Sequence, residues 1–352
     1  MIHLKKLKRL LIVIVFMCIC VGVLHVVYKS LTDIKLLTRY IGNVSQTDEQ
    51  VLNLTLPLVI SKPVTVTKPF ISTALRFTSY VRFFNTSADY SSAKQIHKCV
   101  DLKIQSIGNT PICVYDPAID IYVSKSIIDN GNWEGDLISL VVNIIQGARD
   151  TVFLDFGCNV GVYTLAIAKF GRQVSALDAN RKNLEMLTTS LQKGNLTKMV
   201  TLIWNALSDK AETVGFKEDR KNIGGLQMVG EVSSTSFVSD ENSSVAIVLD
   251  DLVPIFRNQS VFIKMDIETY ELKAMLGGKK FFKEVDVKFL LMEWMHHKIS
   301  DVGTGIIQFM TKRGYTPFSP LQRSVPLNIE DRQLWSTDII WVKNSMNGTW
   351  SA

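Results

Sequence analysis

Zinc chemistry finds no pattern to use in this sequence, whose 352 residues hold five cysteines and five histidines with no C-x-x-C and no H-x-x-x-H. Phosphate cradles are missing too. No G-x-G-x-x-G supplies the three glycines of a dinucleotide site, and no G-K-[ST] closes a P-loop. Arginine-rich stripes with interleaved aromatics are absent. Much of the +6 formal charge sits in the first forty residues, beside an apolar run. That basic end suits an anionic membrane leaflet, so the charge balance gives no reason to expect nucleic acid as a partner.

What the sequence does have is the stretch TVFLDFGCNVGVYTLAIAKFG, residues 151–171. Val152 to Phe156 is an apolar run carrying one acid, Asp155, and reads as a buried strand. A two-glycine turn, Gly157-Cys158-Asn159-Val160-Gly161, feeds an amphipathic run closed by Gly171, the residue suited to a left-handed helix cap. A second apolar run, Gln173 to Leu177, ends in Asp178. Strand, turn, helix, strand and acid form a nucleotide-binding βαβ unit, with the acid about 20 residues past the first glycine. The G-x-x-x-G spacing fits a ligand with a ribose and no phosphate. S-adenosylmethionine would lay its amino-acid end over the turn and give its ribose diol to Asp178. The plain alternative is a βαβ turn that binds nothing.

DFGCNVGVYTL, LDAN (177–180), NALSD (205–209), VLDDL (248–252), IKMDIETYELKAMLGG (263–278) and LLMEW (290–294) occur in the order seen in the FkbM-type methyltransferases, which the chain resembles over roughly residues 130–345. The resemblance implies an α/β fold of the class I methyltransferase type, Rossmann-like, with a mostly parallel sheet and helices on both faces. It also implies S-adenosylmethionine-dependent O-methyl transfer to a sugar or polyketide hydroxyl. Three positions depart from the family: Cys158 replaces alanine, Asp178 replaces the commoner glutamate, and Thr269 replaces the glycine after D-x-E. The last is the one expected to reshape the acceptor side.

Residues 10–28 are almost wholly apolar and long enough to span a bilayer core as a helix. Lys5, Lys6, Lys8 and Arg9 precede them, which places residues 1–9 in the cytoplasm and the rest outside it. The reading is an uncleaved signal anchor, with a cleaved signal peptide as the alternative. Seven N-x-[ST] sequons, at Asn43, Asn53, Asn85, Asn195, Asn242, Asn258 and Asn347, agree with a secretory lumen, and the short span suggests the Golgi. Cys18 and Cys20 lie in the apolar run. Cys99 and Cys113 stand fourteen apart and either bridge or remain free, while Cys158 reads as a small buried residue. Residues 29–97 read as a lumenal stem, 98–150 as an N-terminal flap, and 151–345 as the methyltransferase domain.

Candidate cofactor contacts are Asp155, Gly157, Cys158, Asn159 and Gly161 in the turn, Asp178 and Ala179 after the second strand, and Asn205 and Ala206 after the third, Val200 to Trp204. Trp133 and Glu134 read either as ligand contacts or as a packing aromatic with a solvated acid. Asn180 is a helix N-cap, and Asp250 and Asp251 read as capping acids. Val261 to Met265 forms a strand carrying Lys264, with Asp266 and Glu268 at its carboxyl end, where open α/β sheets bind ligands. Two nearby carboxylates raise one pKa and suit a general base, with Asp266 the leading catalytic candidate. They equally suit a divalent cation that orients a sugar diol. Lys264 reads as their ion-pair partner. His296, after the next strand, has a pKa near working pH but reads equally as a surface histidine. The alternatives to a glycan methyltransferase are a lipid or small-molecule O-methyltransferase, and a membrane-tethered glycoprotein that keeps the fold without turnover.

Overall fold

Chain order along the sheet explains where a ligand can bind. The computed structural model describes residues 80–148, 150–217, 221, 223, 225, 227–231, 243–346 and 350, with backbone alone for 227–231. These residues all fall in one unit, Pro63–Ala352. The apolar run 10–28, most of the stem, Gly224, and the sequons at Asn43, Asn53, Asn242 and Asn347 lie outside the described residues. Among the described residues no helix is long and apolar enough to cross a membrane.

The elements in order are β1 (Lys98–Ile104), β2 (Gly108–Val114), α1 (Val123–Asn130), α2 (Gly135–Gly147), β3 (Thr151–Phe156), α3 (Val162–Lys169), β4 (Val174–Asp178), α4 (Arg181–Lys193) and β5 (Val200–Trp204). Then follow β6 (Ala206–Leu207), β7 (Glu212–Lys217), β8 (Gln227–Glu231), β9 (Ser243–Ile247), α5 (Val253–Phe256), β10 (Ser260–Met265), α6 (Glu271–Leu276) and α7 (Phe281–Glu284). The chain closes with β11 (Asp286–Glu293), α8 (Asp301–Thr311), β12 (Tyr315–Ser319), β13 (Gln322–Pro326) and β14 (Asp338–Lys343).

The main sheet has the order β13-β12-β14-β11-β10-β3-β4-β5. From β5 to β11 the neighbours are parallel, and β14 is antiparallel to both β11 and β12. The chain leaves β3 outward through β4 and β5, then returns to β10 on the other side of β3. That reversal opens a crevice at the carboxyl ends of β3 and β10.

Side chains alternate as the pleat demands. Phe153, Ala176, Leu202 and Phe262 pack with α2, α3 and α4 on one face, while Leu154, Leu177, Ile203, Ile263 and Met265 pack with α5, α6 and α8 on the other. Two buried layers of helices therefore enclose a parallel sheet, as the sequence predicts.

Some expectations change. The β1–β2 hairpin packs on α4, where the Cys113 N–H donates to Ser190 Oγ, so this part of the flap covers helices and only residues from 122 to 134 reach the cleft. Cys99 and Cys113 are directly opposed in that hairpin and are bridged. Helix α1 was not legible in the sequence; it ends at Gly131, whose φ of 80° is the left-handed cap. Residues 82–84 run beside β5 through the Phe83–Ile203 bridge and cover an edge that would otherwise expose unpaired backbone. Ala206–Leu207 and an insertion carrying β7, β8 and β9 form a separate four-stranded sheet, β6-β9-β7-β8.

Candidate active site

The turn after β3 is bent by three left-handed residues, Gly157, Asn159 and Gly161, with φ of 80°, 49° and 91°. Two of these positions also exclude a side chain for lack of room. A Cβ on Gly157 would stand 1.8 Å from the Asp266 carbonyl oxygen, and one on Gly161 would stand 2.3 Å from Leu187 Cδ1. Every N–H of the turn donates within the protein. Gly157 and Cys158 both donate to the Leu177 carbonyl at 2.9 and 3.2 Å, and Gly161 donates to Cys158 at 2.8 Å. Asn159 donates to Asp178 Oδ2 at 2.7 Å, and Val160 to Asn159 Oδ1 at 2.8 Å. A loop whose donors are already used is no phosphate cradle. This agrees with the missing third glycine.

Asp178, at the end of β4, faces this turn. Its Oδ1 accepts the Asn180 N–H at 2.7 Å and Asn183 Nδ2 at 3.2 Å, while Oδ2 takes the Asn159 N–H. Three of roughly four acceptor positions on a carboxylate are thus filled, leaving room for about one ligand hydroxyl. Burial raises its pKa to about 7 against the lowering effect of those hydrogen bonds. Asp178 is therefore the staple of the turn as well as part of the wall.

The cleft holds about 520 Å³ and is lined by Glu134, Gly157, Cys158, Asn159, Asp178, Ala179, Asn205, Ala206, Lys264, Asp266, Glu268 and His296 among others. With Trp133, thirteen of the fifteen candidate contacts named from the sequence thus share one cavity. Two do not. Asp155 points from β3 to the α3 face, where its Oδ2 accepts from Thr164 Oγ1 at 2.6 Å and burial raises its pKa. Gly161 packs on Leu187 and serves the turn, not the cavity. Asn205 lines the cleft, but its side chain is spent elsewhere: Oδ1 accepts the Arg82 N–H, and Nδ2 donates to the Tyr80 and Val245 carbonyls. It ties the covering strand to the edge of β5, so its amide is structural. Cys158 is buried, as expected, with its thiol pKa pushed up by burial.

Toward β10 and β11 the wall is acidic. Lys264 is nearly buried and pairs with Asp266 Oδ2 at 3.0 Å, with its Nζ 5.3 Å from the Tyr163 ring centre. Burial opposes its charge, but Asp266, Asp155 and Glu134 outweigh it and hold the ammonium protonated well beyond the usual lysine range. Glu134 lines the cleft and accepts from the Tyr163 hydroxyl at 2.6 Å. Glu268 and Thr269 have φ of 53° and 77°. The threonine keeps the conformation that a glycine adopts freely, at a strain cost of about 1–2 kcal/mol. The loop survives the departure from the family pattern.

Glu293, Asp338 and Phe216 are among the lining residues that the sequence reading did not single out. Glu293 and Asp338 are register partners on β11 and β14, and both face the cleft. Burial, reinforced by Asp266, Glu268 and Asp338, raises the Glu293 pKa to about 8. Burial and Glu134 raise that of Asp338 to about 7 against the opposing pull of Lys264. His296 Nε2 stands 3.8 Å from Glu293 Oε2 and is half-exposed. Phe216, from the insertion, packs with Ala179 against the Ala206 cluster and gives the opposite end of the cleft an apolar wall. The acids Asp250 and Asp251 cap, as expected: Asp250 Oδ1 accepts the Phe281 N–H at 2.7 Å and Asp251 Oδ2 the Val248 N–H at 3.3 Å. Among the described residues no group of three or more His, Cys, Asp or Glu is placed to hold a metal ion.

Residues 155–317 match the family described as Methyltransferase FkbM domain. Similar solved structures include a precorrin-6y C5,15-methyltransferase from Geobacter metallireducens GS-15, at 13% identity and TM-score 0.31, covering 60% of this chain and 87% of that one. A SAM-dependent O-methyltransferase from Thermotoga maritima is similar at 11% identity and TM-score 0.33, covering 70% and 78%. An O-methyltransferase from Bacillus cereus in complex with SAH is similar at 13% identity and TM-score 0.35, covering 60% and 82%. No curated protein matches the sequence. The strand order and the turn agree with the match of residues 155–317 to the FkbM methyltransferase domain.

Proposed function

We propose that the protein is an S-adenosylmethionine-dependent O-methyltransferase of the secretory pathway that acts on a glycan hydroxyl. The observation that carries the cofactor reading is the turn: its N–H groups are consumed internally, and Asp178 closes one side with acceptor capacity left for a ribose hydroxyl. Phe216, Ala179 and Ala206 supply an apolar wall for adenine, and the acids across the cleft suit a ligand bearing positive charge. When bound, the cofactor supplies an electrophilic methyl carbon on a sulfonium.

The chain's own residues then align an acceptor oxygen and take its proton. Such alignment is where most of the acceleration of an in-line displacement arises. With the cofactor held by the turn and Asp178, the methyl group would pass to the acceptor oxygen with loss of S-adenosylhomocysteine, and a carboxylate of the cleft would take the hydroxyl proton. Asp266 Oδ2 is engaged by Lys264 at 3.0 Å. Glu293, with a pKa of about 8, binds a proton more strongly than an ordinary carboxylate and is matched to a hydroxyl in transit. Asp266 and Lys264 then orient the acceptor.

The address rests on residues 10–28, the preceding lysines and the sequons. The Cys99–Cys113 bridge supports an oxidising compartment. Asn195 and Asn258 are exposed in the loops leading into β5 and β10, and Asn85 follows the strand antiparallel to β5. These three sequons therefore sit toward the amino ends of the parallel strands, away from the cleft. Carbohydrate there leaves the carboxyl edge open.

The test uses the full chain in detergent with S-adenosylmethionine and glycans released from cell-surface glycoproteins. Release of S-adenosylhomocysteine with a mass gain on the glycan is the expected result. Turnover with extracted lipids alone would favour the lipid reading. S-adenosylhomocysteine binding without turnover on any hydroxyl acceptor would favour the non-catalytic one.

A further inference from the structure

The loop that carries Asp266 and Glu268 is strained, with two consecutive non-glycine residues in the left-handed region, and something must hold it. The first half is clamped by β3: the Asp266 N–H donates to the Phe156 carbonyl at 3.0 Å, and Gly157 lies flush against the Asp266 carbonyl. The second half is held by a buried pair that the reaction itself does not use. Glu271, in the first turn of α6, accepts the Ile267 N–H on Oε1 at 3.0 Å, and its Oε2 lies 3.0 Å from His297 Nε2. Both side chains are almost wholly enclosed, at 2% and 3% exposure. In the tautomer with its proton on Nε2, His297 donates and Glu271 Oε2 accepts.

His297 is fixed in turn by the end of β11. Its N–H donates to the Trp294 carbonyl at 2.9 Å, its ring lies 5.7 Å from that of Trp294, and a Cβ on Gly303 at the start of α8 would stand 2.1 Å from its carbonyl oxygen. One carboxylate therefore joins the carboxyl ends of β10 and β11, the two strands whose Asp266 and Glu293 flank the acid wall. A buried acid with both oxygens committed is a rigid strut, since breaking either contact leaves a desolvated charge.

We propose that Glu271 and His297 are positioning residues that hold the Asp266–Thr269 loop in its strained form and fix its distance from Glu293. The inference rests on the reading of Asp266 and Glu268 as acceptor-side groups. It predicts that loosening the pair disables transfer while leaving the cofactor half, built on β3 and β4, intact.

The experiment compares His297→Phe and His297→Gln in the full chain by three measurements. These are S-adenosylhomocysteine affinity by calorimetry, hydrogen exchange of the segment 266–270, and methyl transfer to glycans released from cell-surface glycoproteins. In His297→Phe the segment exchanges, and kcat falls, by about tenfold or more, the loss of one hydrogen bond to a charged group. Affinity for S-adenosylhomocysteine stays within about threefold, since the clamp of β3 on Asp266 and the turn itself are left in place. The glutamine amide can donate to Oε2, so His297→Gln recovers most of both losses. If His297→Phe does not fold, Glu271→Gln against Glu271→Leu gives the same contrast, because the glutamine oxygen still accepts the Ile267 N–H. Unchanged exchange and kcat, no recovery by glutamine, or a fall in cofactor affinity in step with kcat would each overturn the proposal. Should the wild-type chain transfer no methyl group, the catalytic reading fails by itself and the exchange comparison still decides the strut.

Discussion

The turn after β3 and the loop after β10 lie side by side at one sheet edge, yet they are built on opposite principles. The turn is glycine-bent and saturated with hydrogen bonds, and its one acid is locked by three donors. The loop is bent by residues that resist the conformation, and it faces acids whose proton affinity is raised. A site that binds the same ligand every time benefits from a finished surface. A site that must take a proton benefits from groups left short of partners. On the proposed reading the first serves the cofactor and the second the acceptor.

The largest expected effect comes from filling the contact between the two. Gly157→Ala drives a methyl group into the Asp266 carbonyl at 1.8 Å, so both halves move. Denaturant melts should show a loss of about 3 kcal/mol, at the upper end for overpacking, together with loss of S-adenosylhomocysteine binding. If the variant binds normally, the two loops are less tightly joined than described. Asp178→Ala comes next. It orphans the Asn159 and Asn180 N–H groups and removes the ribose acceptor, so affinity should fall about a hundredfold, two lost contacts at roughly 1.4 kcal/mol each. A loss confined to the acceptor KM would reverse the assignment of the halves.

Glu293→Gln sharpens the comparison through pH. The Glu293 pKa of about 8 lies above its ordinary carboxylate value, so its protonated form favours the fold at low pH, and that contribution is lost as pH rises from about 4.5 through 8. Folding stability of the variant should therefore exceed that of the wild type above pH 8 and match it in acid. Turnover of the wild type should climb with pH toward 8 and above, and the glutamine variant should lose most of its activity along with this limb. An unchanged pH profile would return the role of base to Asp266. The smallest effect is Thr269→Gly, which relieves the φ of 77° and should stabilise the fold by about 1 kcal/mol in denaturant melts. Destabilisation would mean that the threonine is not strained.

Much of this arrangement was legible in the sequence because it is local. Apolar runs located β3, β4, β5 and β10 to within a residue, and the D-x-E stretch placed Asp266 at a carboxyl end. What could not be read is set by strands distant in the chain. Glu293 and Asp338 owe their raised proton affinity first to burial, which exists only once β11 and β14, forty-five positions apart in sequence, pair at the cleft. Phe216 looks like one more alternating residue of an insertion until the small sheet brings it to Ala179 and Ala206. Asn205 was misread because residues 80–82 give no sign that they will lie against the edge of β5 and claim its amide. Asp155 was misread for a simpler reason. The strand period puts it on the α3 face with Phe153, and its nearness to the turn in sequence concealed this.

The most direct measurement is a crystal structure of the full chain with S-adenosylhomocysteine. The ribose should lie within hydrogen-bond reach of Asp178 Oδ2, the adenine against Phe216 and Ala206, and the sulfur should face Asp266 and Glu293. A ligand bound elsewhere, or a ribose held without Asp178, would contradict the account.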